Sequence, residues 1–294
     1  MRSAATGLAG LLALAAAVTL TAAGARAQAG GATAPGCSPA KRTGRFVISV
    51  PVAGKVRTAL VNVPPGSDGR TALPLVLAFH GAGGSGRFME RFTGLTPVAN
   101  RWGYVAVYPD AVGKFWQSVA GQDDIAFIGA LLDAVEQSVC VDASRVYATG
   151  VSNGGGMVAR LACELSDRLA AIAPVAGGPY AKLPPCHPDR PVAVLEIHGT
   201  EDAAVAYSQV PPFLQMWQTL DGCEARIVYT HVALRALGVS RPFCPGGVAV
   251  DHIEVLGGAH AWPGTPLPGP GHGSPLGATL RVMRFFAGRR VATP

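Results

Sequence analysis

Five residues, Gly150-Val151-Ser152-Asn153-Gly154, constrain this chain more than any other stretch. The apolar run Val146-Tyr147-Ala148-Thr149 precedes them and reads as a strand. Met157, Leu161 and Leu165 recur every four residues behind them, as on one face of a helix. A G-x-S-x-G set between a strand and a helix turns so sharply that its serine takes a strained backbone conformation. Glycines at the flanks let neighbouring chain pass where a side chain would clash. The serine oxygen is then expected to stand clear of the turn at a helix N-terminus, where backbone N–H groups attract negative charge.

The N-terminus predicts export. Arg2 supplies a positive start, Leu8 to Leu20 is an apolar run too short to span a membrane, and Ala25-Arg26-Ala27 fits a cleavage site before Gln28. Residues 1–27 therefore read as a signal peptide, 28–43 as a flexible lead-in rich in Ala and Gly, and 44–294 as one catalytic domain. Ala34-Pro35-Gly36-Cys37 faintly resembles a lipoprotein acceptor site, but it lies too far past the apolar run. A secreted form without stable membrane association is expected. Losing Arg2 and Arg26 with the leader lowers the net charge from +6 to +4, and no basic stripe points to nucleic acid as a partner.

The six cysteines suit an oxidising compartment, and none has the C-x-x-C spacing of a metal or redox site. No metal or cofactor is expected. Cys223 and Cys244 flank an apparent strand and loop from Arg226 onward and are the first expected pair. Cys140 precedes the Ser152 strand and Cys163 lies three helical turns beyond the serine. Both should sit at the bottom of the sheet, which suggests Cys140–Cys163 and leaves Cys37–Cys186.

Short apolar runs punctuate the rest of the chain. Phe46–Val50 and Thr58–Val63 predict an opening hairpin. Leu75–Phe79, Tyr104–Tyr108, Ala170–Val175, Val192–Ile197 and Ile253–Leu256 predict buried strands. Ile125 to Val135 and Leu276–Phe286 read as helices. Strands alternating with helices argue an α/β fold, a mostly parallel central sheet with helices on both faces. Ligands bind such sheets at the C-terminal strand ends.

A serine alcohol needs a base, a group to orient that base, and donors for the developing oxyanion. The order serine, acid, histidine along the chain selects Asp202, just past the strand ending at Ile197, and His260, after Ile253 to Ala259. Glu201 is the neighbouring alternative acid. Asp123 and Asp124 precede the serine and open a helix, where they suit the helix dipole. Asp251 begins a strand, at the opposite end of the sheet. His198 is too near Asp202 in sequence to be its partner across the site, and His80 belongs to a Gly-rich loop. The backbone N–H groups of Asn153 and Ala82, with Gly83 next, are the expected oxyanion donors.

Taken together, HGAGGSG at 80–86, Asp123-Asp124, RVYATGVSNGGGM at 145–157, IHGTEDAAVAY at 197–207 and GGAHAWPG at 257–264 resemble the secreted polyhydroxybutyrate-depolymerase-like esterases of the α/β-hydrolase superfamily. That family includes feruloyl and acetyl-xylan esterases. The likeness runs from about Gly44 to Ala287. It implies Ser152 as nucleophile, Asp202 as acid and His260 as base. Glu201 departs from the usual smaller residue, and the Pro- and Gly-rich stretch from Pro263 to Pro275 gives the pocket rim its own shape. Trp116 and Trp262 are candidates to line the acyl site, or else core or rim aromatics. The expected activity is a serine carboxylesterase, monomeric, on hydroxycinnamoyl or acetyl esters of plant polysaccharide or short polyhydroxyalkanoate esters. A polymer depolymerase, a serine peptidase and an inactive binding module of the same fold are the alternatives.

Overall fold

The computed structural model describes residues 37–38, 40–117, 123–178, 185–241 and 243–291. The expected signal peptide and cleavage site lie outside them. A ten-stranded sheet organises the domain, in the order β1-β2-β4-β3-β5-β6-β7-β10-β9-β8. The strands are β1 (Arg45–Val52), β2 (Lys55–Asn62), β3 (Leu73–Phe79), β4 (Val105–Pro109), β5 (Val141–Val151), β6 (Ala171–Val175), β7 (Ala193–Gly199), β8 (Val228–Ala233), β9 (Ala236–Arg241) and β10 (Val250–Val255). Neighbours from β4 through β3, β5, β6 and β7 to β10 run parallel. Antiparallel strands close both sides: β1 and β2 beyond β4, β9 and β8 beyond β10.

The helices are α1 (Gly86–Thr93), α2 (Leu95–Trp102), α3 (Asp123–Ser138), α4 (Asn153–Glu164), α5 (Val210–Leu220) and α6 (Ala278–Phe286). Alternation along β3 sets the two layers, because successive side chains leave opposite faces of a strand. Leu75, Leu77 and Phe79 pack with Ile128 and Leu132 of α3, Met157 and Leu161 of α4, and Trp217 of α5. Val76 and Ala78 pack with Met89 of α1, Ala99 of α2, and Val282 and Phe286 of α6. Both faces of the sheet are thus covered, as a buried parallel sheet requires. Among the described residues no helix is long and apolar enough to cross a membrane.

The predicted strands are found, and β5 is longer than expected at its N-terminal end. Helices α1, α2 and α5 and strand β9 were not expected. Leu95–Trp102 is only 8 residues and contains Pro97, so its apolar period is too brief to stand out. Asp124, expected to serve the helix dipole, does more: it is buried against Arg57 of β2 at 2.7 Å and accepts the Gln117 N–H at 2.8 Å.

Only one expected disulfide is found. Cys223–Cys244 is present, but the other pairs are Cys37–Cys140 and Cys163–Cys186, which replace Cys140–Cys163 and Cys37–Cys186. The lead-in is what redirects Cys140. Lys41 Nζ donates to the Glu136 carbonyl (3.1 Å) and Arg42 N–H to the Ser138 carbonyl (2.8 Å), at the C-terminal end of α3. That docks Cys37 beside Cys140 and leaves Cys163, at the end of α4, to the segment entering β7. Peptide mapping under non-reducing conditions is expected to return these three pairs. Cys37→Ser with Cys140→Ser should lower stability by about 2–4 kcal/mol in a denaturant melt. A Cys140–Cys163 peptide would contradict the arrangement.

Asp221 follows α5 and is 1% exposed. One oxygen accepts the Val192 N–H at 3.1 Å, and the other has no partner among the described residues. Burial pushes its carboxyl up to about 7, against the opposing pull of the Val192 N–H and Arg190. Between its unfolded value near 3.8 and about 7, the folded chain holds a proton that the unfolded chain releases. Stability from this group therefore falls as pH rises through that window. Asp221→Asn should melt near the native protein at about pH 4 and at higher temperature than it at about pH 8. An equal difference at both pH values would sink this expectation.

Candidate active site

Ser152 joins β5 to α4 with φ 56° and ψ −123°, a conformation that L-residues adopt only under constraint. Two contacts impose it. A Cβ on Gly154 would lie 2.3 Å from the Phe79 carbonyl oxygen, so α4 starts directly against the end of β3. A Cβ on Gly177 would lie 2.1 Å from the Ser152 carbonyl oxygen, and Ser152 N–H donates to the Val175 carbonyl at 3.0 Å, so β6 holds the other side. The elbow is wedged between its two neighbouring strands.

The loop after β3 passes beside the serine: a Cβ on Gly81 would sit 3.5 Å from Ser152 Cβ. Its Gly83 N–H donates to the Lys114 carbonyl (2.8 Å) and its Gly84 N–H to the Gly81 carbonyl (3.0 Å). Asn153, the first residue of α4, has a buried side chain that accepts the Trp116 N–H (2.7 Å) and donates to the Trp116 carbonyl (2.9 Å). Trp116 Nε1–H donates to the His80 carbonyl at 2.9 Å. His80 Nε2 accepts the Ala111 N–H at 3.2 Å, which leaves Nδ1–H to donate to the Gly81 carbonyl at 2.8 Å. Burial lowers the His80 pKa against the pull of that carbonyl, in keeping with a neutral ring. His80 is a brace for the loop.

Both tryptophans lie in the core rather than facing an open acyl site. Trp116 has no exposed surface and packs on Phe79 and His80, each at 5.1 Å between ring centroids. Trp262 is 1% exposed and its Nε1–H donates to Thr279 Oγ1 at 3.0 Å, which fastens the segment after His260 to α6. A buried indole needs a partner for its N–H, and these two have found theirs inside the protein.

Asp202 and His260 meet beyond the C-terminal ends of β7 and β10. Asp202 Oδ1 accepts the Ala204 and Val205 N–H groups at 2.9 and 2.8 Å, and Oδ2 accepts His260 Nδ1–H at 2.8 Å. The Asp202 side chain is fully buried, and that of His260 is 28% exposed. Glu201 is exposed, so its carboxylate is outside this arrangement. Asp251 pairs with Leu195 at the entry end of β10, away from the strand tips.

His198 is nearer the site than expected. Its Nε2 lies 3.2 Å from Asp202 Oδ2 and its Nδ1 is 2.8 Å from Glu196 Oε1. Four residues of separation do not part them, because the turn after β7 folds Asp202 back over the strand end. Glu196 was not singled out from the sequence. A glutamate in the apolar run Val192 to Ile197 was the available signal, since a buried carboxylate demands a partner.

A mostly parallel sheet, helices on both faces and a strained serine between strand and helix define an α/β-hydrolase. The family described as Esterase PHB depolymerase matches residues 57–182. The chain is 30% identical over 268 residues to the putative esterase NocK of Nocardia uniformis subsp. tsuyamanensis, covering 78% of this chain and 76% of that protein. It is 29% identical to the probable feruloyl esterase C of Aspergillus terreus, over 79% of this chain and 84% of the relative. The acetyl xylan esterase from Aspergillus awamori superposes with a TM-score of 0.62 at 15% identity, covering 82% of this chain and 98% of that one. The chain belongs to the esterase PHB depolymerase family and is an esterase.

Gly154→Ala tests the wedge. Its methyl group has no room against the Phe79 carbonyl, and overpacking of this kind costs about 1–3 kcal/mol. The variant should lose thermal stability and esterase activity together. Native activity with native melting would show that the elbow has slack.

Proposed function

We propose that the chain is a secreted serine carboxylesterase that works through Ser152, His260 and Asp202 and an acyl-enzyme. The observation that carries this reading is the Asp202–His260 hydrogen bond of 2.8 Å, made by a buried carboxylate to a partly exposed imidazole. An imidazole that donates Nδ1–H to a carboxylate keeps its lone pair on Nε2, as a general base for an alcohol requires. Ser152 Oγ attacks the ester carbonyl while Nε2 takes its proton. The imidazolium then returns the proton to the leaving alcohol. Water repeats the sequence on the acyl-serine.

Asn153 N–H, at the first position of α4, and Ala82 N–H are the oxyanion donors in this reading. The Gly83 alternative is weakened because its N–H already donates to Lys114. Substrates are esters of hydroxycinnamic or acetic acid on plant polysaccharide, or short polyhydroxyalkanoate esters, a choice supported by the feruloyl esterase among the relatives. Export is supported by the apolar leader and by three disulfides with no free cysteine among the described residues.

Ser152→Ala should abolish hydrolysis of methyl ferulate and p-nitrophenyl acetate while melting like the native protein. Retained activity would remove Ser152 from the mechanism. Asp202→Asn should lower kcat roughly a thousand- to ten-thousand-fold with KM little changed, whereas Glu201→Gln should stay within a few-fold of native. The reverse ranking would reassign the acid. Rapid clearing of crystalline polyhydroxybutyrate by the native enzyme would replace the soluble-ester assignment with a depolymerase.

A further inference from the structure

Behind Asp202 lies a second histidine that the reaction above does not use. Glu196 and His198 alternate on β7, so they share one face of it, and both side chains are fully buried. His198 Nδ1 faces Glu196 Oε1 at 2.8 Å. Its Nε2 faces the Val205 carbonyl at 2.9 Å and Asp202 Oδ2 at 3.2 Å. The Val205 carbonyl can only accept, and Glu196 and Asp202 accept wherever they are ionised. A neutral imidazole has one N–H and would turn a lone pair on one of them. A ring protonated on both nitrogens donates from Nδ1 to Glu196 and from Nε2 to the Val205 carbonyl, with its charge beside Asp202 Oδ2.

We infer that His198 is a buried imidazolium, clamped by Glu196, that positions Asp202 and offsets part of the charge Asp202 presents to His260. It is a positioning residue for ester hydrolysis, and this role rests on the triad reading above. His198 and His260 approach the same oxygen, Asp202 Oδ2, from two elements. The carboxylate is held by two amide donors on Oδ1 and a cation and a histidine on Oδ2, so it has no freedom to swing away from His260. Burial opposes charge on both partners. It raises the Glu196 pKa against the pull of His198 and the Gly178 and Gly177 amides, and it opposes a charged ring at His198, where Glu196, the Val205 carbonyl and Asp202 outweigh it and raise the pKa. The remaining polar groups are consistent with a retained proton. Tyr207 stands edge-on to the ring at 6.1 Å between centroids, with Glu254 near Tyr207. His252 Nδ1 is bonded to the Glu196 carbonyl at 3.0 Å, and its Nε2 lies 3.2 Å from the Tyr207 hydroxyl.

Nitrogen NMR of the native protein labelled at histidine tests the charge directly, with His198 assigned by comparison with His198→Gln. Both ring nitrogens should be protonated and unchanged from about pH 5 to about pH 9, the range in which an ordinary histidine titrates. A singly protonated ring, or one that titrates in that range, would overturn the inference. His198→Gln removes the cation, so His260 holds its proton more tightly. The acid limb of kcat/KM should move up by about one pH unit with KM little changed. A uniform loss of activity at every pH would mark a purely structural residue and also overturn it. If His198→Gln does not fold, Glu196→Gln keeps an acceptor for Nδ1–H and removes only the charge. The His198 signal should then titrate within the same range, and an unchanged signal would count against the clamp. Failure of the triad reading shows separately, as activity retained in Ser152→Ala.

Discussion

The first turn of α4 lies so close to the end of β3 that Gly154 leaves no room for a methyl group beside the Phe79 carbonyl. Much of the site follows from that approach. It pins α4 over the centre of the sheet, and the chain can leave β5 for α4 only through the strained angles at Ser152. Strain of this order, about 1–3 kcal/mol, persists only where the surroundings leave no alternative. Here those surroundings are the backbones of β3 and β6, which are among the most buried parts of the protein. The serine is presented by the core of the sheet rather than by a free loop.

The same approach explains why a tryptophan, an asparagine and an arginine are buried next to the site. The Trp116–Gln117 segment crosses the layer without belonging to a helix or strand, so its backbone groups need other partners. Asn153 satisfies both groups of Trp116, Asp124 accepts the Gln117 N–H, and Arg160 donates to the Gln117 carbonyl at 2.7 Å. Four backbone groups are satisfied by three side chains, two of them from α4. The helix that carries the serine therefore also fixes the segment against which the Gly-rich loop rests, and Trp116 ties the two through the His80 carbonyl. Removing a single member would strand buried polar groups at a cost of about 1–3 kcal/mol each.

What could be read from the sequence was whatever depends on local pattern and chain order. Val146–Thr149, Leu75–Phe79 and Val192–Ile197 are runs of buried residues, all apolar but Thr149 and Glu196, and such runs announce strands in a sheet covered on both faces. Asp202 and His260 were found by their place after strand ends, and the structure brings them together. Most of the misreadings concern contacts between distant parts of the chain. Cys37 finds Cys140 because the lead-in docks on the end of α3, which no periodicity reveals. Trp116 and Trp262 were candidates for a substrate surface because nothing local shows that His80 and Thr279 wait for their N–H groups. His198 was set aside on sequence distance, a rule that fails where the chain reverses at a strand end.

Two buried aspartates show how differently the fold treats the same group. Asp202 has a donor or cation on each oxygen: two amides on Oδ1, and His260 with His198 close by on Oδ2. Asp221 has one amide, an oxygen without a partner among the described residues, and Arg190 as a compensating charge. Burial without partners favours the neutral acid, so Asp221 gives up stability as the solution becomes less acidic. Burial with a full set of partners fixes a carboxylate in place instead. At the tip of β7 the position of one such carboxylate sets the orientation of His260.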